Sequence, residues 1–475
     1  LAYSRAFQLI TRFIKGLIKR QPKPKKVGAK QIAAQRISKK THRIDPNLLS
    51  KNAVKVTQVL QQAGYSAFIV GGAVRDLVLG IGPKDFDVAT NATPEQVQKL
   101  FRKSRLIGRR FQIVHVTFFG KERPEIIEVS TFRAMLDQVG EHLAESGRIL
   151  RDNVWGSQAE DAERRDFSIN AMYYDPASET VFDYHGGMDD MKKRTLRMIG
   201  EPSKRYREDP IRMLRAIRFA AKTGFTLDPA TRAPIAELAD LIHDVPTARL
   251  FDEILKLLMS GHSWSAIEGL RAAGLHHGLL PLLDKALDGD SASGAGTEFI
   301  KLSLSNTDER IQAGKGVSAG FLFASLLWPD LNQNWRSNIA GGMANVPALH
   351  AAMDDTITSQ NNGITIQRRF EADMREIWTM QPRFEKRLGR FPHRLIESPR
   401  FRAGYDFMLL RCTTGELPNS LGLWWTQFIE ADVNAREELI SLAKAEDEKN
   451  GQVTKLGSKR RRRKKTKPDP AAIDL

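Results

Sequence analysis

Leu48, Leu49, Val54, Val59 and Leu60 recur at intervals that place them along one stripe of a helix over residues 48–63. Ala67, Phe68, Ile69 and Val70 then read as a short buried strand that stops on Gly71-Gly72. The pattern continues with a helix over residues 74–79 and a second strand over residues 86–89. A helix over residues 93–101 follows, with Thr93 as N-cap and Pro94 in the first turn. Residues 113–119 and 126–131 predict two more strands. Beyond about residue 200 the strand signal fades, and helical spacing dominates at residues 211–222, 231–242, 250–259 and onward to 444. A loop-like stretch of Ala, Leu, Asp, Gly and Ser over residues 286–297 interrupts that half. The predicted class is α+β: a small mixed sheet with helices, then an all-α remainder.

A chain of 475 residues exceeds what one hydrophobic core serves. The divisions read from the pattern are a basic N-terminal segment (1–46), a head (47–200), a helical neck (201–262), an all-α body (263–446) and a basic tail (447–475). Within the first, Phe7, Ile10, Phe13, Ile14, Leu17 and Ile18 alternate with Arg and Lys in the manner of an interfacial amphipathic helix, which makes a weak membrane-surface or protein contact one reading and a loosely ordered tail the other. Residues 21–45 read as a flexible basic linker, with folding expected to begin near Asn47. No apolar run reaches the roughly 18–20 residues needed to cross a bilayer, and no cleavable signal is expected.

The formal charge of +17 and a pI near 9.8 point to anionic partners, nucleic acid first. Cys412 is the one cysteine, so an intramolecular disulfide is excluded and a reducing, cytoplasmic setting is expected.

The chemistry concentrates between residues 69 and 88. Side chains two apart on a strand share a face, so Asp85 and Asp87 project together while Phe86 and Val88 turn to the core. Two adjacent carboxylates repel unless cations sit between them, and a pair of Mg²⁺ ions, with Mn²⁺ as a substitute, suits the transfer of a nucleotidyl group with loss of pyrophosphate. Glu128, on the strand over residues 126–131, is the geometric choice for a third carboxylate; Asp166 is the alternative. Gly71 and Gly72 let a triphosphate approach the backbone at a helix start, with Arg75 and Lys84 adding charge.

Gly-Gly followed by Asp85-Phe86-Asp87-Val88 resembles the signature of the DNA polymerase β nucleotidyltransferase superfamily. Three further strings resemble motifs shared by class II tRNA CCA-adding enzymes and bacterial poly(A) polymerases: the opening Gly71-Gly72-Ala73-Val74-Arg75-Asp76, the stretch Arg164-Arg165-Asp166-Phe167-Ser168-Ile169-Asn170-Ala171, and Glu208-Asp209-Pro210-Ile211-Arg212. The resemblance implies a polymerase β-like head, metal binding by Asp85 and Asp87, ATP as substrate, a triphosphate held by Arg75 and the glycine pair, Asp166 as an active-site acid, and Arg164, Arg165 and Asn170 around the nucleotide.

Asp209 and Arg212 lie three apart at a predicted helix start, with Asp209 read as N-cap and Pro210 in the first turn, so that a carboxylate and a guanidinium could share one face and meet a base edge. Arg215, Arg218 and Lys222 continue that helix as candidates for an RNA groove, equally readable as a solvated face. His115 is expected to be a sheet-bound histidine rather than a catalytic base, and Trp424-Trp425 to be packing.

Residues 106–116 and 394–406 are similar to the poly(A) polymerase branch of the family. The run Lys459-Arg460-Arg461-Arg462-Arg463-Lys464-Lys465 fits an enzyme that must hold many unrelated RNA 3′ ends, because such a run binds phosphate without reading sequence. Template-independent addition of AMP to RNA is the expected activity, with CCA addition to tRNA or a non-catalytic RNA-binding role as rivals. A monomer is expected, with RNA-degradation or RNA-chaperone proteins as candidate partners. Residues 120–124 lengthen a turn relative to this family.

Overall fold

A computed structural model describes residues 33–108, 112–120, 124–134, 155–288 and 294–449. The amphipathic segment within residues 1–20, the turn at 121–123 and the basic run 459–465 lie outside the described residues. The chain divides into two units, at the junction of Gly200 and Glu201.

The first unit is built on an eight-stranded mixed sheet: β1 (Gln35–Ser38), β2 (Ala67–Val70), β3 (Asp87–Thr90), β4 (Ser104–Ile107), β5 (Ile113–Phe118), β6 (Glu125–Thr131), β7 (Met172–Asp175) and β8 (Thr180–Asp183). They lie in the order β1-β8-β7-β2-β3-β6-β5-β4, and only the β3–β6 pair is parallel. Helices α1 (Lys39–His42), α2 (Lys51–Gln62), α3 (Gly72–Val78), α4 (Pro94–Leu100), α5 (Gln158–Arg164) and α6 (Gly187–Lys193) accompany it.

The alternation read from the sequence decides which face goes where. Ile69, Val88, Val114 and Val129 are all but fully buried. They form one face with Val116 and Ile127, covered by the apolar stripe of α2 (Ala53, Val56, Leu60) and by Val97 of α4. The opposite face carries a cross-strand row: Arg36, Phe182, Tyr173, Val70, Asp87, Glu128, His115 and Arg105 stand in register from one edge to the other. The middle of this row is where an aromatic cluster of Phe68, Phe132, Tyr173 and Phe182 meets the acids.

Several boundaries differ from expectation for identifiable reasons. Residues 35–46 are not a linker: β1 adds an edge strand to β8, anchored by buried Ile37, and His42 is buried with its Nε2 2.9 Å from the Glu179 carbonyl. The strand expected to hold both aspartates starts at Asp87; Asp85 sits in the bend before it, although exposed Asp85, buried Phe86, half-buried Asp87 and buried Val88 keep the alternation. Helix α4 carries a full capping box, Thr93 Oγ1 accepting from Gln96 N–H while Gln96 accepts from Thr93 N–H.

Among its described residues, the second unit is helical apart from a two-residue strand at Thr226–Leu227. Its first helices are α7 (Pro202–Glu208), α8 (Ile211–Thr223), α9 (Pro229–Leu238), α10 (Thr247–Leu258) and α11 (Ser263–Ala272). The helix expected over 231–242 is divided: α9 ends at Leu238 and a 3₁₀ segment, Ala239–Asp244, completes it. The expected break at 286–297 is narrower, because helices run up to Asp288 and resume at Ala295. The final helix, Val433–Lys449, passes the end expected at 446. Trp425 is fully buried and its Nε1–H donates to the Phe384 carbonyl at 2.8 Å; Trp424 Nε1–H donates to Leu439 at 3.2 Å, so the tandem tryptophans are core, as expected. Among the described residues no helix is long and apolar enough to cross a membrane.

Candidate active site

Gly71 ends β2 at φ +72° and ψ −135°, a conformation that strains any residue with a Cβ. A Cβ there would lie 3.4 Å from Arg165 Nη1 and 3.8 Å from Asp87 Oδ2, ordinary contact distances, so it is the positive φ that calls for glycine at a turn flanked by these two charged groups. Helix α3 starts at Gly72 with no side chain capping its first turn. Its leading N–H groups are therefore left for another acceptor.

Asp87 opens β3, directly opposite Glu128 of the parallel neighbour β6. Burial pushes the Asp87 carboxyl up to about 6, helped by the charges of Glu128 and Asp85 and opposed by Arg165. The carboxyl is thus buried first and crowded by like charge second. Asp85 is exposed on the approach to β3, and Glu128 is half-exposed, its Oε1 3.3 Å from His115 Nε2. His115 is thus the sheet-bound histidine expected.

Among the described residues, no three His, Cys, Asp or Glu side chains converge as a ready-made metal cage. Two carboxylates with further ligands from water and phosphate are nonetheless the usual donor set for Mg²⁺, and the raised Asp87 carboxyl marks where such a charge would be stabilising. The residues present fit that group.

Arg165 is the cation whose charge acts on Asp87, and it is firmly held. Its Nε donates to Tyr173 Oη at 3.1 Å, its Nη2 to Asp161 Oδ2 at 3.1 Å, and Tyr173 Oη donates to the same Asp161 oxygen at 2.7 Å. Asp161 Oδ1 accepts from Arg133 N–H at 3.2 Å. Burial keeps the Tyr173 phenol well above its ordinary range, so the hydroxyl stays a donor. Sequence reasoning missed Asp161 and Tyr173; the four-residue step from Asp161 to Arg165 was the readable signal.

The other candidates differ in burial and partners. Arg75 is 1% exposed, its guanidinium donating to Asp76 Oδ1 at 2.8 Å and to Asn170 Oδ1 at 2.8 Å. It braces α3 against the 3₁₀ turn that holds Asn170, because a buried guanidinium must have its donors satisfied from within. Asp166 is 8% exposed, its Oδ1 accepting from Phe167 N–H at 2.8 Å. Lys84 is exposed in the bend beside Asp85, and Arg164 is the last residue of α5.

In the second unit, Asp209 is the C-cap of α7, and Pro210 is the N-cap of α8. The side chains of Asp209 and Arg212 do not pair with one another. Arg249 Nη2 donates to both oxygens of Asp209, at 3.1 and 2.9 Å, while Arg212 Nη1 donates to Glu208 Oε2 at 3.1 Å and to the Arg205 carbonyl at 3.0 Å. Both members are thereby fixed from outside the pair. Arg218, expected at an RNA groove, is instead closed into an ion pair with Glu253 at 2.6 Å and stacks on Phe219. Arg215 also lies over the Phe219 ring, and Lys222 is the exposed member of the three.

Three sequence-family profiles match the chain: "Poly A polymerase head domain" over residues 67–197, "Probable RNA and SrmB- binding site of polymerase A" over 224–287, and "Polymerase A arginine-rich C-terminus" over 341–467. Poly(A) polymerase I of Salmonella typhi is 44% identical over 403 residues, covering 82% of this chain and 85% of that protein. Its namesake in Haemophilus influenzae is 42% identical over 404 residues, covering 84% and 88%. The CCA-adding enzyme of Geobacillus stearothermophilus is 38% identical over 226 residues, covering 48% of this chain and 54% of that one. Among solved structures, the Bacillus stearothermophilus CCA-adding enzyme in complex with CTP superposes with a TM-score of 0.51 at 26% identity, over 86% of this chain and 94% of that chain. Fold and site together define a class II nucleotidyltransferase, the class that includes the CCA-adding enzymes. Within it, the chain belongs to the bacterial poly(A) polymerase I family.

Proposed function

We propose that this protein adds AMP from ATP to RNA 3′ ends without a template. The observation that carries the proposal is the acidic corner of Asp85, Asp87 and Glu128 beside the uncapped start of α3, in a chain 44% identical to poly(A) polymerase I over 82% of its length. In the reaction the RNA 3′-oxygen bonds to the α-phosphorus of ATP, the bond to the bridging oxygen breaks, and pyrophosphate leaves.

Asp85 and Asp87 are the residues that would hold divalent ions. Two such ions, when bound, lower the pKa of the attacking hydroxyl and stabilise the departing pyrophosphate. Glu128 is favoured over Asp166 as the third carboxylate, because it is solvent-accessible and in register with Asp87, whereas Asp166 is buried and committed to its own turn. The first-turn N–H groups of α3 receive the triphosphate, and Arg165 supplies the fixed positive charge next to them. In the second unit, Asp209 and Arg212, held by Arg249 and Glu208, are the candidates for contacting a nucleotide base. A cytoplasmic setting suits this substrate.

Incubating the pure protein with Mg²⁺, labelled ATP and a generic single-stranded RNA should yield long A tracts. Efficient use of CTP, with completion of truncated tRNA and no long A tract, would replace the proposal by the CCA-adding activity.

Tyr173→Phe removes the hydroxyl that locks Arg165 to Asp161. The KM for ATP should rise about 3- to 10-fold with kcat changed less, because a mispositioned charge weakens ground-state binding first. Steady-state kinetics decide this; an unchanged KM would mean that Arg165 holds its place without Tyr173.

A further inference from the structure

On the sheet face opposite the carboxylates, at the margin formed by α2, the end of α4 and the β4–β5 edge, lies a depression of about 580 Å³. Its volume falls within the range of about 300–1,000 Å³ typical of sites that enclose a ligand. Val59, Phe101 and Val116 contribute apolar wall, and Lys55, Arg102 and Lys103 contribute positive charge. Phe119, also lining it, is 69% exposed, with Lys103 Nζ 4.7 Å from its ring centroid.

Among the described residues of the lining, three cations face one acid, so positive charge is in excess. Among the described residues neither Lys55 nor Arg102 has an ion pair or a side-chain hydrogen bond. The one acid of the described lining, Glu125, accepts from Ser50 Oγ and Asn52 Nδ2 with its two oxygens; these neutral donors fix it in place and leave its charge, which offsets one of the three cations. An excess of cations around an exposed aromatic ring is suited to a polyanion that also carries flat apolar groups. Single-stranded nucleic acid meets both requirements, its phosphates on the cations and a base on the ring. An acidic peptide would satisfy the cations but has no comparable use for the ring face.

We propose that this groove binds single-stranded RNA as a second site, engaging a stretch of the strand away from the reacting 3′ end. The proposal rests on RNA being the substrate, as argued above. Because Val116 and Phe118 alternate with His115 on β5, and His115 shares the row of Asp87, the groove and the acidic corner lie on opposite faces of one sheet. A strand must be long enough to pass the sheet margin before it can use both sites. Short RNA is therefore insensitive to the groove, and long RNA is not.

The test compares the full-length protein with Phe119→Ala and with Arg102→Glu/Lys103→Glu, using oligo(A) of about 6 and about 30 nucleotides. Charge reversal should weaken binding of the long RNA about tenfold and make the slope of log K against log salt shallower by about 1–2. Phe119→Ala should weaken it about threefold or more through lost stacking. Extension of the short RNA at saturating ATP should be unchanged in both, which also shows that the variants fold. In the wild type, 4-thiouridine placed within the long RNA should photocross-link to the peptide containing Phe119. Unchanged affinity for long RNA in both variants, or no cross-link in that peptide, overturns the proposal and leaves the groove to a protein partner. Failure of the wild type to extend either RNA, with the cross-link and the affinity losses retained, would sink the adenylation reading and leave the groove standing.

Discussion

Asp87→Asn is expected to abolish AMP transfer, by about 10³-fold or more, and at the same time to stabilise the cation-free protein at pH 8. Both effects come from one carboxylate. Burial, Glu128 and Asp85 together push Asp87 up to about 6 from an ordinary 3.8. A carboxyl whose folded-state pKa is raised destabilises the fold wherever it is ionised. The penalty is full above pH 6, shrinks as the pH falls through 6, and is gone below the unfolded value of about 3.8. Asparagine mimics the neutral form, so its advantage should be about 1–2 kcal/mol at pH 8, after a discount for partial exposure, and near zero at about pH 4. Urea unfolding in EDTA at the two pH values measures it, and saturating Mg²⁺ should shrink the difference by stabilising the wild type alone. Retained transfer in Asp87→Asn would remove the residue from the mechanism; a variant less stable than wild type at pH 8 would mean that the acidic corner is already neutralised from within.

Arg218→Ala should destabilise the second unit by about 3–5 kcal/mol. Glu253 is 4% exposed, and Arg218 Nε donates to its Oε1 at 2.6 Å, so removal of the guanidinium strands a buried carboxylate. The lost stacking on Phe219, whose ring centroid is 4.3 Å from the guanidinium carbon, adds to the deficit. The double variant Arg218→Met/Glu253→Gln should recover a large part of it, because no charge is then left alone. Lys222→Ala, one turn further along and exposed, should shift stability by no more than about 0.5 kcal/mol. Urea denaturation gives the energies, and RNA binding of the folded fraction at low temperature should be unaltered by Arg218→Ala. A small loss of stability accompanied by weak RNA binding would return Arg218 to an RNA-contacting role.

The Arg218 case shows where sequence reading ran out. Spacing along α8 correctly placed Arg215, Arg218 and Lys222 near one another, but it could not say that Glu253, 35 residues later on α10, closes over the middle one. The same holds for Asp209, whose partner Arg249 is 40 residues away, and for Arg75, whose acceptor Asn170 is 95 residues away. Local period and turn chemistry, by contrast, were legible. The strand Ala67–Val70, the glycine stop, the cap of α4 and the in-out alternation from Asp85 to Val88 all follow from short-range rules. β1 escaped because an edge strand needs little apolar material: with only Ile37 buried among Gln35, Arg36 and Ser38, its composition is that of a linker. β7 and β8 escaped for another reason, their aromatic and apolar residues falling in runs too short to separate from the motif before them.

The account depends on divalent ions and ATP meeting at the Asp85–Asp87–Glu128 corner of the first unit. Diffraction from crystals of the wild-type protein soaked with Mn²⁺ and a non-hydrolysable ATP analogue, with anomalous differences locating the metal, tests that most directly. The expected result is manganese between Asp85 and Asp87, with the triphosphate over Gly72 at the start of α3. Manganese bound elsewhere, or a nucleotide seated away from these residues, would contradict it.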